Sequence, residues 1–466
     1  MSDSPAMPAV PASTVRPETC AALASLGVVL PEILLPAPAV DPTAWAVVAC
    51  DQYSSERSYW EKVAASVAGK PSTLNLIFPE CYLEDADKEG RIERIRAAMA
   101  EYLRSGVFES QGAAFVLVER RTPYEPQPRV GLMMAVDLER YRYGKDSDSL
   151  IRPTEGTIVE RLPPRMRIRR GAALELPHIM LLVDDPERTV IEPLYANRSR
   201  LPKAYDFDLM AGSGHLRGWL VRDEAEVGRI AKALAVLADP RAFEARYGTD
   251  KVLLFAVGDG NHSLATAKAV WEEIKKGQEG KPGASGYLAA HPARYALVEL
   301  VNIYDEGLPF HPIHRVLFGA DANALLADLA AAGARIQRCA SADEARSRCV
   351  SAVADGAHRI AFMYEGGAGL ATFEAPTANL AAGSIQVFLD EWIKAHSGVG
   401  IDYIHGSESL EALAKKPGNF GFHLPPVDKA GFFATVIRDG AMPRKTFSMG
   451  EAPEKRFYVE ARKILP

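Results

Sequence analysis

The sequence predicts an α/β fold of the mixed α+β kind, because short apolar runs and amphipathic helical stretches interleave along its 466 residues. Apolar residues make up 48% of the chain and charged residues 24%, which is the composition of a globular protein rather than of a disordered one. No GxGxxG or GxxxxGKS/T motif stands in a suitable context. The standard Rossmann and P-loop folds therefore have no sequence support.

The individual elements follow from the spacing of the apolar residues. Short apolar runs that stop at Asp, Gly or Pro predict strands. The predicted strands cover residues 45–50, 114–119, 130–136, 177–183, 252–257 and 360–364. Apolar residues spaced three and four apart predict helices. The predicted helices cover residues 56–68, 89–106, 223–238, 263–276, 320–332 and 342–353.

The chain is predicted to contain a short tail and two folded portions. Residues 1–24 are rich in Pro and Ala and are predicted to be a disordered tail. Residues 25–317 form the predicted core. Residues 318–466 form a C-terminal α/β subdomain, which starts at an Ala-rich helix and closes on the core.

Charge and cysteine content exclude several classes of protein. The net charge is −6, and no strongly basic face is evident, so nucleic acid is not expected as the main partner. The five cysteines form no CxxC pair, which favours a reducing cytoplasm over a disulfide framework or a thiolate zinc site. Neither a signal peptide nor a run of roughly 18 apolar residues is evident, so no membrane association is expected.

One basic segment departs from this pattern. Five arginines lie within residues 161–170. The favoured interpretation is a solvated loop and strand edge, and the alternative is a rim that binds anions.

The sharpest local signal is the turn between the predicted strand 252–257 and the helix that follows. Gly258 and Gly260 let the backbone turn tightly and approach a ligand. Ser263 can cap the helix. The free N–H groups of the first helical turn would then face the loop, and such groups bind anions.

Polar side chains of the same turn could take part in chemistry. Asp259 could hold a metal ion or accept a proton, and His262 could contact a phosphate or act as an acid or base. The structural alternative is a tight turn in which Asp259 and Asn261 only cap the helix.

A second glycine-rich loop precedes another polar pair. Gly212 and Gly214 flank a serine, and His215 and Arg217 follow directly. Arg217 would supply a fork of donors to an oxyanion or phosphate. The structural alternative is a flexible hairpin.

Two further segments carry weaker signals. Arg152 and Glu155 lie in a turn-like stretch, where Glu155 could equally be a turn residue. His314 and Arg315 follow Pro312, which interrupts any helix. A paired metal site is therefore not expected there, although either residue alone could belong to a site.

Residues 355–359 resemble a phosphate loop but are rejected as a site. A predicted helix precedes them and a predicted strand follows, so the loop would lie at the amino end of a strand. Ligands of α/β sheets gather at the carboxyl ends of strands.

Residues 258–267 (Gly-Asp-Gly-Asn-His-Ser-Leu-Ala-Thr-Ala) resemble the signature of the bacterial domain of unknown function 1015 family, usually written DGHHR. Residues 47–53 and 152–157 resemble its early motifs. Residues 312–315 and 442–446 resemble its Pro-Thr-His-Arg motif and its closing Met-Pro segment. These landmarks follow the expected order over nearly the whole chain.

The resemblance implies a fold and an activity. The family is described as ParB/Spo0J-like, with a core like the ParB–sulfiredoxin fold, and a free-serine kinase of the wider group has a similar loop at its nucleotide phosphates. By this resemblance the chain would bind ATP or ADP, with Mg²⁺, and phosphorylate a small hydroxyl substrate such as free L-serine. Residues 259–263 would hold the phosphate. Asp51 or Glu155 would be the base or the magnesium carboxylate.

The sequence also departs from the family pattern. Asn261 and Ser263 stand where the usual motif has its first His and its Arg, and Arg217 or Arg152 could replace that lost arginine. A non-catalytic nucleotide- or anion-binding regulatory protein of ParB-like type is therefore the alternative hypothesis. A nucleic-acid-associated protein is a third, disfavoured by the negative charge. A homo-oligomer is compatible with each of these hypotheses.

Overall fold

The structure is a computed structural model of the chain. It describes residues 14–144, 147–351, 355–443 and 445–466. These residues form two compact units. The first unit comprises the described residues of Met1–Leu308 together with Glu451–Pro466, and the second comprises those of Pro309–Gly450. Both units contain helices and β-sheets, so the mixed α/β class is confirmed. A ParB–sulfiredoxin-like core stays a prediction.

The unit boundary differs from the one predicted after Leu317. Leu317 is buried inside the strand His314–Phe318 of the second unit. The final segment Glu451–Pro466 belongs to the first unit, so the predicted C-terminal portion is not continuous. Local composition could not show this, because the buried partners of the final segment are distant in sequence.

The start of the described chain is helical rather than loose. Residues 1–13 of the predicted tail lie outside the described residues. Pro17–Ser25 forms a helix in which Leu23 is fully buried. The backbone N–H of Arg16 donates to Glu224 over 2.9 Å. Burial of one apolar side chain and this anchor order the segment.

A nine-stranded sheet organises the first unit. From edge to edge, its main path runs through Ile151–Pro153, Phe255–Asp259, Met180–Val183, Tyr295–Asn302, Arg129–Asp137, Phe115–Arg121, His215–Val221 and Lys203–Asp208. The ninth strand, Val28–Val29, pairs with Arg129–Asp137. The first two strands of the path are parallel to each other, so their carboxyl ends lie at the same edge of the sheet.

Two small antiparallel pairs and ten α-helices complete the described part of the first unit. The pairs join Glu32–Pro36 to Phe108–Ala113 and Leu174–Glu175 to Arg462–Lys463. The helices are Pro17–Ser25, Pro42–Trp45, Arg57–Ser66, Lys88–Arg104, Leu162–Arg169, Glu192–Ala196, Glu224–Leu237, Pro240–Tyr247, Asn261–Gln278 and Ala284–Ala290. Among the described residues of the chain, no helix combines the length and apolarity needed to cross a bilayer.

The predicted elements of this unit are mostly confirmed. The helix predicted over 223–238 is found at Glu224–Leu237. The side chain of Asp223 accepts from the backbone N–H of Glu226 over 3.0 Å, as expected for a capping residue. The strand predicted over 252–257 is found at Phe255–Asp259.

Two predictions in the first unit are wrong. Residues 45–50 form no strand of a sheet; this buried stretch instead pairs Val48 with Phe457 through an isolated bridge. The apolar run is buried as predicted, but its partner is the end of the chain. The arginine-rich run forms the helix Leu162–Arg169 rather than a loop and strand edge. This short helix packs against Asn261–Gln278.

Buried ion pairs hold the closing segment of the first unit. The guanidinium of Arg456 contacts Glu299 over 2.6 Å and also pairs with Glu460. Arg462 pairs with Glu175 over 2.7 Å. All five side chains are buried. Because a buried charge is tolerated only when it is paired, the closing segment has one favourable position.

The second unit is built around a six-stranded antiparallel sheet. In spatial order its strands are Ala334–Cys339, Gly367–Phe373, His358–Tyr364, Asn419–His423, His314–Phe318 and Gly400–Ile404. The strands His311–Pro312 and Phe447–Ser448 form a separate pair. The helices are Ala322–Ala331, Ala342–Val350, Ala381–Ala395, Ser407–Ala414 and Lys429–Asp439.

Apolar side chains cover both faces of this sheet. Phe362 packs in one cluster with Leu325 and Leu389, and its neighbour Met363 packs in another with Leu410. Successive strand residues point to opposite faces, so helices lie on both sides. The helices predicted over 320–332 and 342–353 and the strand predicted over 360–364 are confirmed for the described residues.

Two buried histidines stack in the second unit. The rings of His314 and His423 lie 4.1 Å apart. Nδ1 of His314 accepts from the backbone N–H of Leu424 over 3.1 Å. Burial lowers the pKa of His314 to about 3 and that of His423 to about 4. Both rings are therefore neutral in the folded unit at neutral pH.

Replacement of Glu299 by Gln should destabilise the first unit. The substitution removes one of the two carboxylates around Arg456 and leaves buried positive charge in excess. We expect the free energy of unfolding, measured by urea denaturation, to fall by about 3 kcal/mol. The control is Glu89→Gln, which removes an exposed ion pair with Arg167 and should cost less than about 1 kcal/mol. Equal losses in the two variants would contradict the role given to this network.

The stability of the second unit should fall in mild acid. An unfolded histidine titrates near pH 6.5, so below about that pH the unfolded chain binds protons that the folded unit excludes. The contribution of these histidines to the free energy of unfolding is therefore fully present above about pH 6.5. It is lost as the pH falls towards the lowered pKa values of His314 and His423. At about pH 5 each histidine should remove about 2 kcal/mol.

Hydrogen exchange followed by mass spectrometry of peptides from Pro309–Gly450 measures this loss for the second unit alone. The variant His423→Gln keeps a polar group towards Ser407 and removes one titrating ring. It should reduce the pH dependence, because it removes one of the histidines whose pKa is lowered in the folded unit. An unchanged pH dependence in this variant would exclude His423 as its source.

Candidate functional site

A strand, a left-handed turn and a helix form the centre of the candidate site. The strand Phe255–Asp259 ends at Gly260, whose φ is +77°, and the helix Asn261–Gln278 follows at once. A Cβ on Gly260 would lie 3.1 Å from Cα of Ile179. Gly258 lies at an irregularity in the pairing of this strand. The first N–H groups of the helix have no carbonyl acceptor within the helix, so they can bind an anion.

Asn261 supports the loop rather than facing a ligand. Its Oδ1 accepts from the backbone N–H of Thr154 over 3.2 Å, and its Nδ2 lies 3.4 Å from the carbonyl oxygen of Val257. The hydroxyl of Thr154 donates to the same carbonyl over 2.6 Å. Asn261 therefore ties the end of the neighbouring parallel strand to the start of the helix.

Asp259 is half-buried beside a lysine from the closing segment. Its Oδ2 lies 3.0 Å from Nζ of Lys455, and its Oδ1 accepts from the N–H of Gly260 over 2.9 Å. Desolvation raises the pKa of Asp259, but the charge and hydrogen bond of Lys455, the charge of His178 and the N–H of Gly260 together hold it below its ordinary value. The carboxylate is therefore ionised, and its charge is largely neutralised by Lys455.

His262 faces the segment that leads into the arginine-rich helix. Its Nε2 accepts from the backbone N–H of Ile158 over 3.4 Å. Burial lowers the pKa of His262, and the charges of Arg165 and Arg161 lower it further. The ring is neutral at pH 7, and this contact assigns its hydrogen to Nδ1, where it can be donated.

Ser263 is paired with a histidine that the sequence did not single out. Its Oγ lies 2.8 Å from Nε2 of His178, and Nδ1 of His178 lies 2.7 Å from the hydroxyl of Tyr458. A carboxylate oxygen of Asp51 lies 3.9 Å from the same Nε2. Asp51, Ser263 and His178 thus come together, although they are far apart in the sequence.

A cavity of about 160 Å³ adjoins this cluster. Its walls are mainly apolar and include Leu76, Ile77, Phe78, Leu83, Met99, Ile168, Leu174, Leu176 and Leu297. Its polar lining includes Ser263, His178, Tyr458 and the ion pair between Arg165 and Glu80, in which Nε donates over 3.0 Å. The cavity can bury the apolar part of a ligand while the ligand's polar end contacts the loop.

The second glycine-rich loop lies elsewhere in the first unit. Four strands separate His215–Val221 from Phe255–Asp259 in the sheet. Arg217 contacts Glu119 and Asp206, each over 3.3 Å, and Gly212 and Gly214 precede this strand. The two nitrogens of His215 contact Asp206 and Asp208 over 2.7 and 2.6 Å. The structure therefore does not bring this loop to the turn at Gly260.

The third predicted segment is only partly at the site. The guanidinium of Arg152 donates to the carbonyl oxygens of Ser149 and Lys251, which precede the two parallel strands. It therefore points away from the carboxyl ends. Glu155 follows its strand at the edge where Asp259 lies and is half-buried.

The remaining two candidates belong to the second unit. Arg315 is fully buried, and its Nε donates to Gln386 over 3.2 Å. His314 is the stacked histidine described above. Both side chains are held inside that unit. Among the described residues, no group of three or more His, Cys, Asp or Glu lies together as a metal site.

Four residues of the site were missed by the sequence analysis. Arg165 lay within a basic run whose alternative interpretation was an anion-binding rim. His178 stood at the start of a predicted strand, where no spacing singled it out. Lys455 and Tyr458 carry no local signal, because their partners Asp259 and His178 lie about 200 or more residues away.

Replacement of Gly260 by Ala should cost more than the same change at another left-handed glycine. Gly283 also precedes a helix, has a φ of +74° and has open space around its Cα. Gly283→Ala should lower the free energy of unfolding by about 1 kcal/mol because of backbone strain. Gly260→Ala should lose about 1–3 kcal/mol more, because its methyl group meets Ile179. Urea unfolding measures both losses, and equal losses would show that close packing does not select glycine at Gly260.

The solved structures that are weakly similar to the chain include one from Pyrococcus furiosus and one from Staphylococcus aureus. A conserved hypothetical protein from Pyrococcus furiosus is 14% identical, with 72% of this chain and 95% of that chain covered and a TM-score of 0.35. SbnI from Staphylococcus aureus, with a C-terminal truncation, is 10% identical, with 70% and 82% covered and a TM-score of 0.31.

A free serine kinase in complex with AMP is 11% identical, with 72% of this chain and 91% of that chain covered and a TM-score of 0.36. No curated protein matches the chain. The family described as "Protein of unknown function (DUF1015)" matches residues 34–392, which is most of the sequence. The chain therefore belongs to the DUF1015 family.

Proposed function

We propose that this protein is a nucleotide-dependent phosphotransferase that acts on a small hydroxyl compound. The observation that carries the proposal is the turn at Gly260, where a helix start, the Ser263–His178 pair and the mouth of an apolar cavity meet. A nucleotide needs the helix start and the apolar cavity together, because its phosphates require N–H donors and its base requires an apolar wall.

The phosphate contacts would come mainly from uncharged donors. The N–H groups at the start of Asn261–Gln278 and Nδ1–H of His262 can donate to phosphate oxygens. The positive end of the helix dipole adds to this attraction. Arg165 lines the cavity and supplies positive charge beside the loop. Such pre-positioned donors stabilise charge in a transferring phosphoryl group.

Two carboxylates are proposed for proton transfer and metal binding. Asp51 lies beside the Ser263–His178 pair with its side chain 27% exposed, so a hydroxyl acceptor can reach it. It would take the acceptor's proton. Glu155 follows the neighbouring strand at the same sheet edge and would hold Mg²⁺. Magnesium in such enzymes is bound by one or two carboxylates together with the phosphates.

Free L-serine is the first acceptor to test, as the family resemblance implied. Among the nucleotides, ATP as donor and ADP as product are proposed. The protein is proposed to act in the cytoplasm.

The non-catalytic alternative has one observation in its favour. Asn261 is occupied by contacts with Thr154 and Val257, and Ser263 replaces an arginine of the usual motif. The loop therefore has fewer charged donors than the family signature. A regulatory protein that binds a nucleotide without turnover would be consistent with this.

Thermal unfolding with ATP, ADP, CTP or GTP, with and without Mg²⁺, tests the proposal. A nucleotide present at about 100 times its dissociation constant should stabilise the wild type by about 2.7 kcal/mol. His262→Glu should abolish this effect, because it places a negative charge among the phosphate donors. Arg217→Met tests the second loop and should keep the effect, because four strands separate Arg217 from the turn at Gly260.

Product analysis then separates the two functions. Formation of ADP and a phosphorylated acceptor supports the phosphotransferase, and stabilisation without any product supports the regulatory alternative. Loss of stabilisation in Arg217→Met but not in His262→Glu would assign the nucleotide to the second loop. No stabilisation by any nucleotide would refute both functions.

A further inference from the structure

The hydroxyl of Ser263 is directed at a base rather than at the backbone. Serine and threonine in helices commonly donate to the carbonyl four residues earlier. Thr266, one turn along the same helix, does so: its hydroxyl donates to the carbonyl oxygen of His262 over 2.7 Å. Ser263 instead lies 2.8 Å from Nε2 of His178. This is the separation expected between a nucleophile and its general base.

His178 is itself held in place by a third group. Its Nδ1 lies 2.7 Å from the hydroxyl of Tyr458, and the two rings pack edge to face. The oxygen of Tyr458 also accepts from the backbone N–H of Cys50 over 3.1 Å. Tyr458 is fully buried. A role of His178 as the base requires the tautomer in which its Nδ1–H donates to Tyr458, so that Nε2 presents its lone pair to Ser263.

The surroundings of Ser263 suit attack on a phosphorus atom. Ser263 is the third residue of its helix, so its oxygen lies among the N–H groups proposed to hold phosphate. Ser263, His178 and Tyr458 all line the apolar cavity. An apolar site strengthens the interaction between a nucleophile and its base, because competing water is excluded.

The second unit provides a comparison. Its described residues make two other Ser–His contacts of similar length, Ser384 with His358 over 2.9 Å and Ser407 with His423 over 2.9 Å. Among the described residues, Nδ1 of His423 is buried without a hydrogen-bond partner, whereas Nδ1 of His178 contacts the hydroxyl of Tyr458. A Ser–His distance alone therefore does not distinguish Ser263, but its position in the first turn of a helix that can bind phosphate does.

We infer that Ser263 is a nucleophile activated by His178 and that it accepts a phosphoryl group to form a phosphoserine enzyme. This inference rests on the proposed function, since a nucleoside triphosphate supplies the group. Oγ of Ser263 forms a bond to the γ-phosphorus while the bond to the bridging oxygen breaks, and the nucleoside diphosphate leaves with that electron pair. The proton of Ser263 passes to Nε2 of His178.

The second half of the reaction restores the enzyme. The oxygen of the acceptor hydroxyl attacks the phosphorus, and the bond between phosphorus and Oγ breaks. Asp51 takes the acceptor's proton and releases it to solvent, to which its side chain is partly exposed, and His178 returns its proton to Ser263. Without an acceptor the phosphoserine enzyme accumulates, which makes it observable.

The full chain incubated with ATP and Mg²⁺, without an acceptor, tests the inference by mass spectrometry of its peptides. The wild type should carry one phosphate on Ser263 and none on Ser384 or Ser407. Ser263→Ala should carry no phosphate on that peptide. His178→Asn keeps a polar group towards Tyr458 but removes Nε2, and it should slow phosphorylation at least about 100-fold.

Thermal unfolding with a non-hydrolysable ATP analogue is measured in parallel on each variant, which also verifies that it folds. Stabilisation together with phosphate on Ser263 supports the inference. Stabilisation without phosphate on Ser263 overturns it and leaves the proposed function standing. Wild-type phosphorylation rates in His178→Asn, or equal labelling of Ser384 and Ser407, would also overturn it. Neither stabilisation nor phosphate would refute both proposals.

Discussion

The buried guanidinium of Arg456 is the interaction on which the first unit depends. It lies between Glu299, on a central strand of the sheet, and Glu460, in the same closing segment. Charged side chains that are buried away from water require oppositely charged partners at short range. The closing segment therefore cannot shift without leaving a buried charge unpaired. This constraint joins the last residues of the chain to a sheet formed entirely by earlier ones.

The candidate site is a consequence of that constraint. Arg456 lies next to Lys455 and close to Tyr458 in the sequence, and these two residues contact Asp259 and His178. The closing segment therefore neutralises the carboxylate of the turn and orients the imidazole beside Ser263. The local geometry of the turn at Gly260 can bind an anion. The negative charge of Asp259 beside it is neutralised only when the closing segment of the chain is in place.

The two glycine-rich loops show how far local patterns reach. Both contain glycines followed by a histidine, and both were predicted to contact a phosphate. One starts a long helix at a sheet edge beside a cavity. The other leads into a strand whose Arg217 and His215 are paired with carboxylates. Sheet order separates them, and sheet order depends on pairings between strands that are distant in sequence.

Apolar periodicity and glycine chemistry, both readable in the sequence, determined the elements nearest the site. They include the strand Phe255–Asp259, the helix Asn261–Gln278 and the left-handed turn at Gly260. Tertiary structure alone decided which side chains meet there. It directed Asn261 and Arg152 to backbone partners and assembled Asp51, His178 and Ser263 from three separate segments. The physical reason is range: helix and turn preferences act over a few residues, whereas burial and charge pairing act between whichever residues the fold brings into contact.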